Sequence, residues 1–217
     1  MKYKISATQL ESFRSCLDND RFFQHRAMSP EKLVQQLLRK SQPSKWAYYG
    51  TAFHAIIQEP HLYEKPPYGY VYDGIIFSDE DIQKCLTTLG YAMEGVYEVP
   101  FQKVYDLGEN QIAVSMRLDV IRGNIINEIK TTQHFDYDKY SRSIQHKIYL
   151  DATEAEELIY NVFVINDKAG TVSIETAVEP FSFFFDSNLS TDIKNVLRSF
   201  LIFIKENNIG RYFESSN

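Results

Sequence analysis

The sequence predicts an α/β protein with a central mixed β-sheet and helices on its faces. Two observations predict it. Hydrophobic spacing is helical through most of the first hundred residues, then turns strand-like near residue 99. The later segments run as a strand meander, a helix, more strands and a helix, an order that packs helices onto one sheet.

Each element has a local signal. Ser6 with Gln9 forms a capping-box pattern that opens a short helix. Ser29-Pro30-Glu31 starts a second helix, with proline at its first position, running to about Lys40. Residues 44–58 read as a third, with His54 and Gln58 one turn apart, stopped before Pro60. Residues 61–77 hold Pro66, Pro67 and Gly69 and are expected to be irregular. Ser78 and an acidic first turn open a helix expected to reach about Tyr97. Strands are expected over 99–105, 111–121 and 125–131, the last two joined by the two-residue turn Gly123-Asn124. A helix is expected over about 138–154. Strands at 158–166 and 171–185 flank the turn Asn166-Asp167-Lys168-Ala169-Gly170. A last helix, capped by Ser190 or Thr191, ends near Asn207. The 217 residues are expected to form one domain, helical over about 1–97, with the sheet and its helices over about 98–217.

Composition narrows the function. Hydrophobic residues at 44% and charged residues at 24% are ordinary for a globular protein. Two cysteines, Cys16 and Cys85, are too few for a secreted disulfide framework or a four-cysteine iron–sulfur cluster. Met1 to Ile5 carry two lysines and no apolar run, and no stretch approaches the roughly 18 apolar residues of a membrane span. A reducing cytoplasm is the expected setting, with no membrane partner. The net charge of −6 is unusual for a nucleic-acid binder, but residues 1–50 carry +5 and residues 51–217 carry −11. Arg14, Arg21, Arg26, Arg39 and Lys40 are candidate backbone contacts, with solvated surface as the alternative. Tyr and Phe number fifteen each, filling strands and core or stacking on bases.

The segment from Arg117 to Lys130 carries chemistry. With Gly123-Asn124 as the loop, Asp119 faces Glu128 across the hairpin, roughly 4.5–5.5 Å apart at Cβ. Alternation puts Glu128 and Lys130 on one face. Facing carboxylates repel, and a divalent cation such as Mg²⁺ or Mn²⁺ is the simplest compensation. Lys130 could then hold a phosphate, meet developing negative charge or position a water. As a bare pattern, the same residues also describe a surface hairpin whose lysine neutralises two acids.

The hairpin resembles the signature of the PD-(D/E)XK nucleases, an Asp followed after a turn by (Asp/Glu)-x-Lys. Tyr49-Gly50-Thr51-Ala52-Phe53-His54 resembles the Gly-x-x-x-His motif of the RecB-like branch. Gln145-His146-Lys147-Ile148-Tyr149 is similar to that branch's Gln-x-x-x-Tyr motif, whose two ends share a helix face. The stretches YGTAFHAIIQEP and EIKTT resemble the RecE-like, exonuclease VIII group, over about residues 45–165.

The resemblance implies a restriction-endonuclease-like core and a phosphodiester hydrolase. It implies His54, Asp119, Glu128 and the Ile129 carbonyl as Mg²⁺ ligands, with Asp119, Glu128 and Lys130 catalytic. Gln145 and Tyr149 would hold DNA phosphate or orient Lys130, and Arg117 could contact phosphate or pair with an acid. Glu98 is a weaker ligand candidate, and Glu59 reads as helix-end structure. His25, His61, His134 and His146 show no ligand spacing. By the same resemblance the substrate is linear double-stranded DNA, degraded 5′→3′ by a ring-shaped trimer or tetramer working with a single-strand annealing protein. The alternatives are another endonuclease on this core and a non-catalytic DNA-binding module.

Overall fold

The computed structural model describes residues 1–22, 29–168 and 171–215, with side chains excepted at 18–22 and 168. His25, Arg26, Ala169, Gly170 and the side chain of Arg21 lie outside what is described. The helices are α1 (Ala7–Phe22), α2 (Pro30–Leu37), α3 (Lys45–Gln58), α4 (Pro60–Tyr63), α5 (Asp79–Leu89), α6 (Tyr137–Ser141), α7 (Ile144–Thr153) and α8 (Leu189–Glu206). The strands are β1 (Lys2–Ser6), β2 (Tyr70–Tyr72), β3 (Ile75–Phe77), β4 (Val96–Asp106), β5 (Gln111–Arg122), β6 (Ile125–Thr132), β7 (Glu157–Lys168), β8 (Thr171–Ala177) and β9 (Phe181–Phe184). They form one mixed sheet ordered β1-β5-β6-β7-β8-β3-β2, with β4 added on β5 and β9 on β7.

Both faces of the sheet are covered. On one, α1, α2, α7 and α8 pack against β1, β5, β6 and β7. On the other, α3 and α5 cover Val120, Ile129 and Phe163. The amphipathic stripe of α8 shows the cause: Ile193, Leu197, Phe200 and Ile204 recur at helical spacing and are all fully buried. Each such side chain contributes about 2 kcal/mol of burial.

Three expected starts have their expected caps. Ser6 and Gln9 bond reciprocally through Ser6 N to Gln9 Oε1 (3.1 Å) and Gln9 N to Ser6 Oγ (3.2 Å). Ser29 and Ser78 accept from Lys32 N and Asp81 N.

Other expectations are corrected. Lys2–Ser6 is a strand parallel to β5, so the N-terminal part is not wholly helical. The stretch expected to be irregular holds α4 and the hairpin β2–β3, which turns at Asp73 (φ 47°) and Gly74 (φ 80°). The helix from Ser78 stops at Leu89, because Gly90 adopts φ 35°, and β4 begins at Val96. The single helix over 138–154 is two, α6 and α7, with Ser143 capping the second. The strand over 171–185 is also two, broken around Pro180, which has no N–H for a ladder. The last helix is preceded by Asn188, without a side-chain cap, rather than by Ser190 or Thr191.

Candidate metal centre

Strand β6 delivers Glu128, Ile129 and Lys130 to the middle of the sheet. The hairpin turns at Gly123 (φ 56°) and Asn124. It pairs Arg122 with Ile125, Ile121 with Ile126 and Val120 with Asn127. Continued by one residue, that register would reach the expected Asp119–Glu128 pair, which the ladder does not include. The ladder ends at Val120–Asn127, and Asp119 Oδ2 accepts from Ile129 N at 2.8 Å in place of a backbone partner.

This break has a structural cause. β4 runs along the whole of one edge of β5. The other edge is shared by β1, which pairs through Ser115, and β6, which joins at Val120. Met116 to Asp119 therefore lie in a split of the sheet. The Tyr149 hydroxyl donates to the Arg117 carbonyl inside it, at 3.2 Å. Side-chain facing also reverses here, since Leu118 packs into one core and Val120 into the other. Across the β4 edge, Tyr97 pairs with Val120 and Val99 with Leu118, which places Glu98 opposite Asp119 with φ 52°.

Helix α3 supplies the histidine. A Cβ at Gly50 would lie 3.1 Å from Thr131 Oγ1, so this glycine lets α3 lie close against β6. One turn later His54 Nδ1 is 3.8 Å from Asp119 Oδ1. His54, Glu98 and Asp119 each offer a ligand atom within 4.8 Å of the others, the one such group among the described residues. Glu98 is held by Gln58 Nε2 (3.1 Å) and Arg117 Nη1 (3.2 Å).

Glu128, expected as a ligand, is not part of that group; it lies deeper, with 2% of its surface exposed. Its Oε1 accepts from Lys130 Nζ at 2.5 Å and Gln145 Nε2 at 3.0 Å. Its Oε2 is buried and has no hydrogen-bond partner. Burial, then the charge of Asp119, pushes the Glu128 carboxyl well above the usual carboxylate range. Burial likewise raises Asp119. Burial opposes the charge on Lys130, but Glu128 and Asp119 outweigh it and hold the group as an ammonium. Burial, then Lys130, lowers the His54 pKa, so its ring is neutral near pH 7, the form that ligates metals. A neutral imidazole, confined carboxylates and an orphaned carboxylate oxygen fit a divalent cation.

His54, Arg117, Asp119, Glu128, Ile129, Lys130, Gln145 and Tyr149 line one cleft of about 770 Å³, together with Glu98 and Gln58, whereas Arg14, Arg39 and Lys40 do not line it. The lining residues are not equally available within it. Arg117 is exposed and already paired with Glu98. Tyr149 is 3% exposed and turned inward, accepting from Gln145 Nε2 at 2.6 Å. His146 points elsewhere, stacked on Phe183 at 3.9 Å.

Sequence reasoning missed Glu11. From α1 its Oε2 accepts from Ser143 Oγ (2.8 Å), Ile144 N (2.8 Å) and Gln145 N (3.2 Å), fixing the start of α7. No local signal marks it, because its partners lie more than 130 residues away. Gln58 was legible as one turn beyond His54, but its grip on Glu98 was not.

The sequence matches no protein-family model and no curated protein. Among solved structures, a phage related exonuclease from Haemophilus somnus 129PT aligns over 94% of both chains with 10% identity and a TM-score of 0.41. The crystal structure of SSO0001 aligns over 93% of this chain and 77% of its own, with 15% identity and a TM-score of 0.54, and the two share a fold.

Proposed function

We propose that this protein is a metal-dependent deoxyribonuclease with Asp119, Glu128 and Lys130 at its catalytic centre. The observation that carries this is Glu128, buried beside Asp119 with one oxygen on Lys130 and the other without a partner. His54, Asp119, Glu128 and the Ile129 carbonyl would hold Mg²⁺, with Mn²⁺ able to replace it, and Glu98 stands within reach as a further ligand. The cation supplies Lewis-acid polarisation of the scissile phosphate.

The chain's own groups do the rest. Lys130 points its ammonium into the cleft, where it orients the attacking water and meets charge developing on the phosphate. Gln145 holds Glu128 in place, and Tyr149 braces both Gln145 and the split strand. Arg117 contacts a phosphate once DNA competes with its exposed Glu98 pair.

The motif stretches around His54 and Glu128 favour a 5′→3′ exonuclease on linear duplex DNA, without an iron–sulfur cluster. A ring-shaped trimer or tetramer would keep an acidic chain on its substrate, and a single-strand annealing protein is the fitting partner. Incubation with linear and covalently closed circular duplex in Mg²⁺ tests this. Loss of the linear DNA alone, from the 5′ end of each strand, is expected. Cutting of the circle would retain the chemistry and replace the exonuclease by an endonuclease.

A further inference from the structure

A second cavity, of about 760 Å³, lies beside β6 and β7 away from the cleft. It is lined by Asn127 and Asn161, each 5% exposed. Asn127 stands on the opposite face of β6 from Glu128, so the cavity is separate from the metal centre. The two amides touch through one long hydrogen bond, Asn161 Nδ2 to Asn127 Oδ1 at 3.4 Å. That leaves the Asn127 amide N–H₂ and the Asn161 carbonyl unbonded, and neither is sealed from the cavity. Exchanging O and N in both amides swaps the roles but still leaves one donor beside one acceptor. A donor beside an acceptor, both held on strands and open to the cavity, offers a ligand a pair of directional hydrogen bonds.

The surroundings define its chemistry. Leu89, Ala92, Ile125, Ile159 and Pro180 make apolar walls. At the rim the Arg122 guanidinium lies over the Tyr91 ring and pairs with Glu94 at 2.9 Å, so it is already neutralised. Glu156 adds negative charge beside Asn124. The cavity therefore favours a flat, neutral ring with a donor next to an acceptor on one edge, and disfavours a phosphate. We propose that it binds a nucleobase through its hydrogen-bonding edge, the base coming from a free nucleoside or a DNA strand.

Calorimetric titration in EDTA tests this without any cleavage, so its outcome is independent of the nuclease reading. The probes are uridine, N3-methyluridine, which lacks the ring donor, uridine 5′-monophosphate and a single-stranded tetranucleotide. Saturable uridine binding is expected, weakened about tenfold or more by N3-methylation, by Asn161→Leu and by Ala92→Phe, which fills the cavity and keeps both amides. The monophosphate should bind no tighter than uridine. Tighter tetranucleotide binding assigns the base to a strand, and equal or weaker binding to a free nucleoside. No saturable binding of uridine or tetranucleotide up to about 10 mM overturns the proposal. So does uridine affinity unchanged by N3-methylation or by Ala92→Phe, and the latter decides alone if Asn161→Leu does not fold.

Discussion

The Glu11 carboxylate accepts a 2.8 Å hydrogen bond from the backbone N–H of Ile144, closing the first turn of α7 from a different helix. Through that bond the N-terminal helix fixes where Gln145 meets Glu128. Removing a capping carboxylate at a helix start costs about 1–2 kcal/mol. Glu11→Ala should lower the urea midpoint accordingly. It should reduce DNA cleavage less than Lys130→Ala, because the reacting groups remain.

The buried carboxyl of Glu128 gives a pH prediction. Its pKa is raised in the fold by burial and by Asp119. A raised carboxyl binds protons more readily folded than unfolded. Its contribution therefore stabilises below the ordinary carboxylate range and is lost as pH rises toward neutrality. Between about pH 5 and pH 8, the melting temperature of metal-free wild type should fall relative to Glu128→Gln by about 3 °C or more. Mg²⁺ should restore the wild type at the higher pH. A melting temperature indifferent to Mg²⁺ would contradict the metal assignment.

Glu98 lies within ligand distance of His54 and Asp119. Glu98→Gln should raise the Mg²⁺ concentration for half-maximal cleavage about tenfold or more, while activity at saturating Mg²⁺ largely recovers. An unchanged Mg²⁺ dependence would remove Glu98 from the site.

His146 acts on stability with the opposite sign. Burial, then Lys147, holds its pKa down at about 4. A lowered histidine stabilises above its ordinary range and loses that contribution as pH falls from 6.5 toward 4. Wild type should lose about 2 kcal/mol between pH 7 and pH 5 from this group. His146→Phe, which keeps the stack on Phe183, should remove that loss in urea titrations at the two pH values.

The legible parts of the structure are those set by local chemistry. Gly123-Asn124 fixes the hairpin register by turn geometry alone, from Arg122–Ile125 to Val120–Asn127. Asp73-Gly74 carries the same kind of signal, but β2 and β3 are only three residues each, too short for alternation to mark them as strands.

Other features depend on distant partners. β1 is five residues long and becomes a strand only against Gln111 to Ser115. The position of Glu98 depends on its positive φ and on the split in β5, neither of which alternation reveals. The break between α6 and α7 follows from Ser143 and Glu11 together, and Glu11 is remote in sequence.

The most direct test is cleavage of linear duplex DNA by wild type and Lys130→Ala, each in Mg²⁺ and in EDTA. Mg²⁺-dependent cleavage by wild type, reduced at least about 100-fold in the variant and absent in EDTA, is the predicted result. Cleavage that persists in EDTA, or equal rates for wild type and Lys130→Ala, would contradict the assignment of this cleft as a metal-dependent nuclease site.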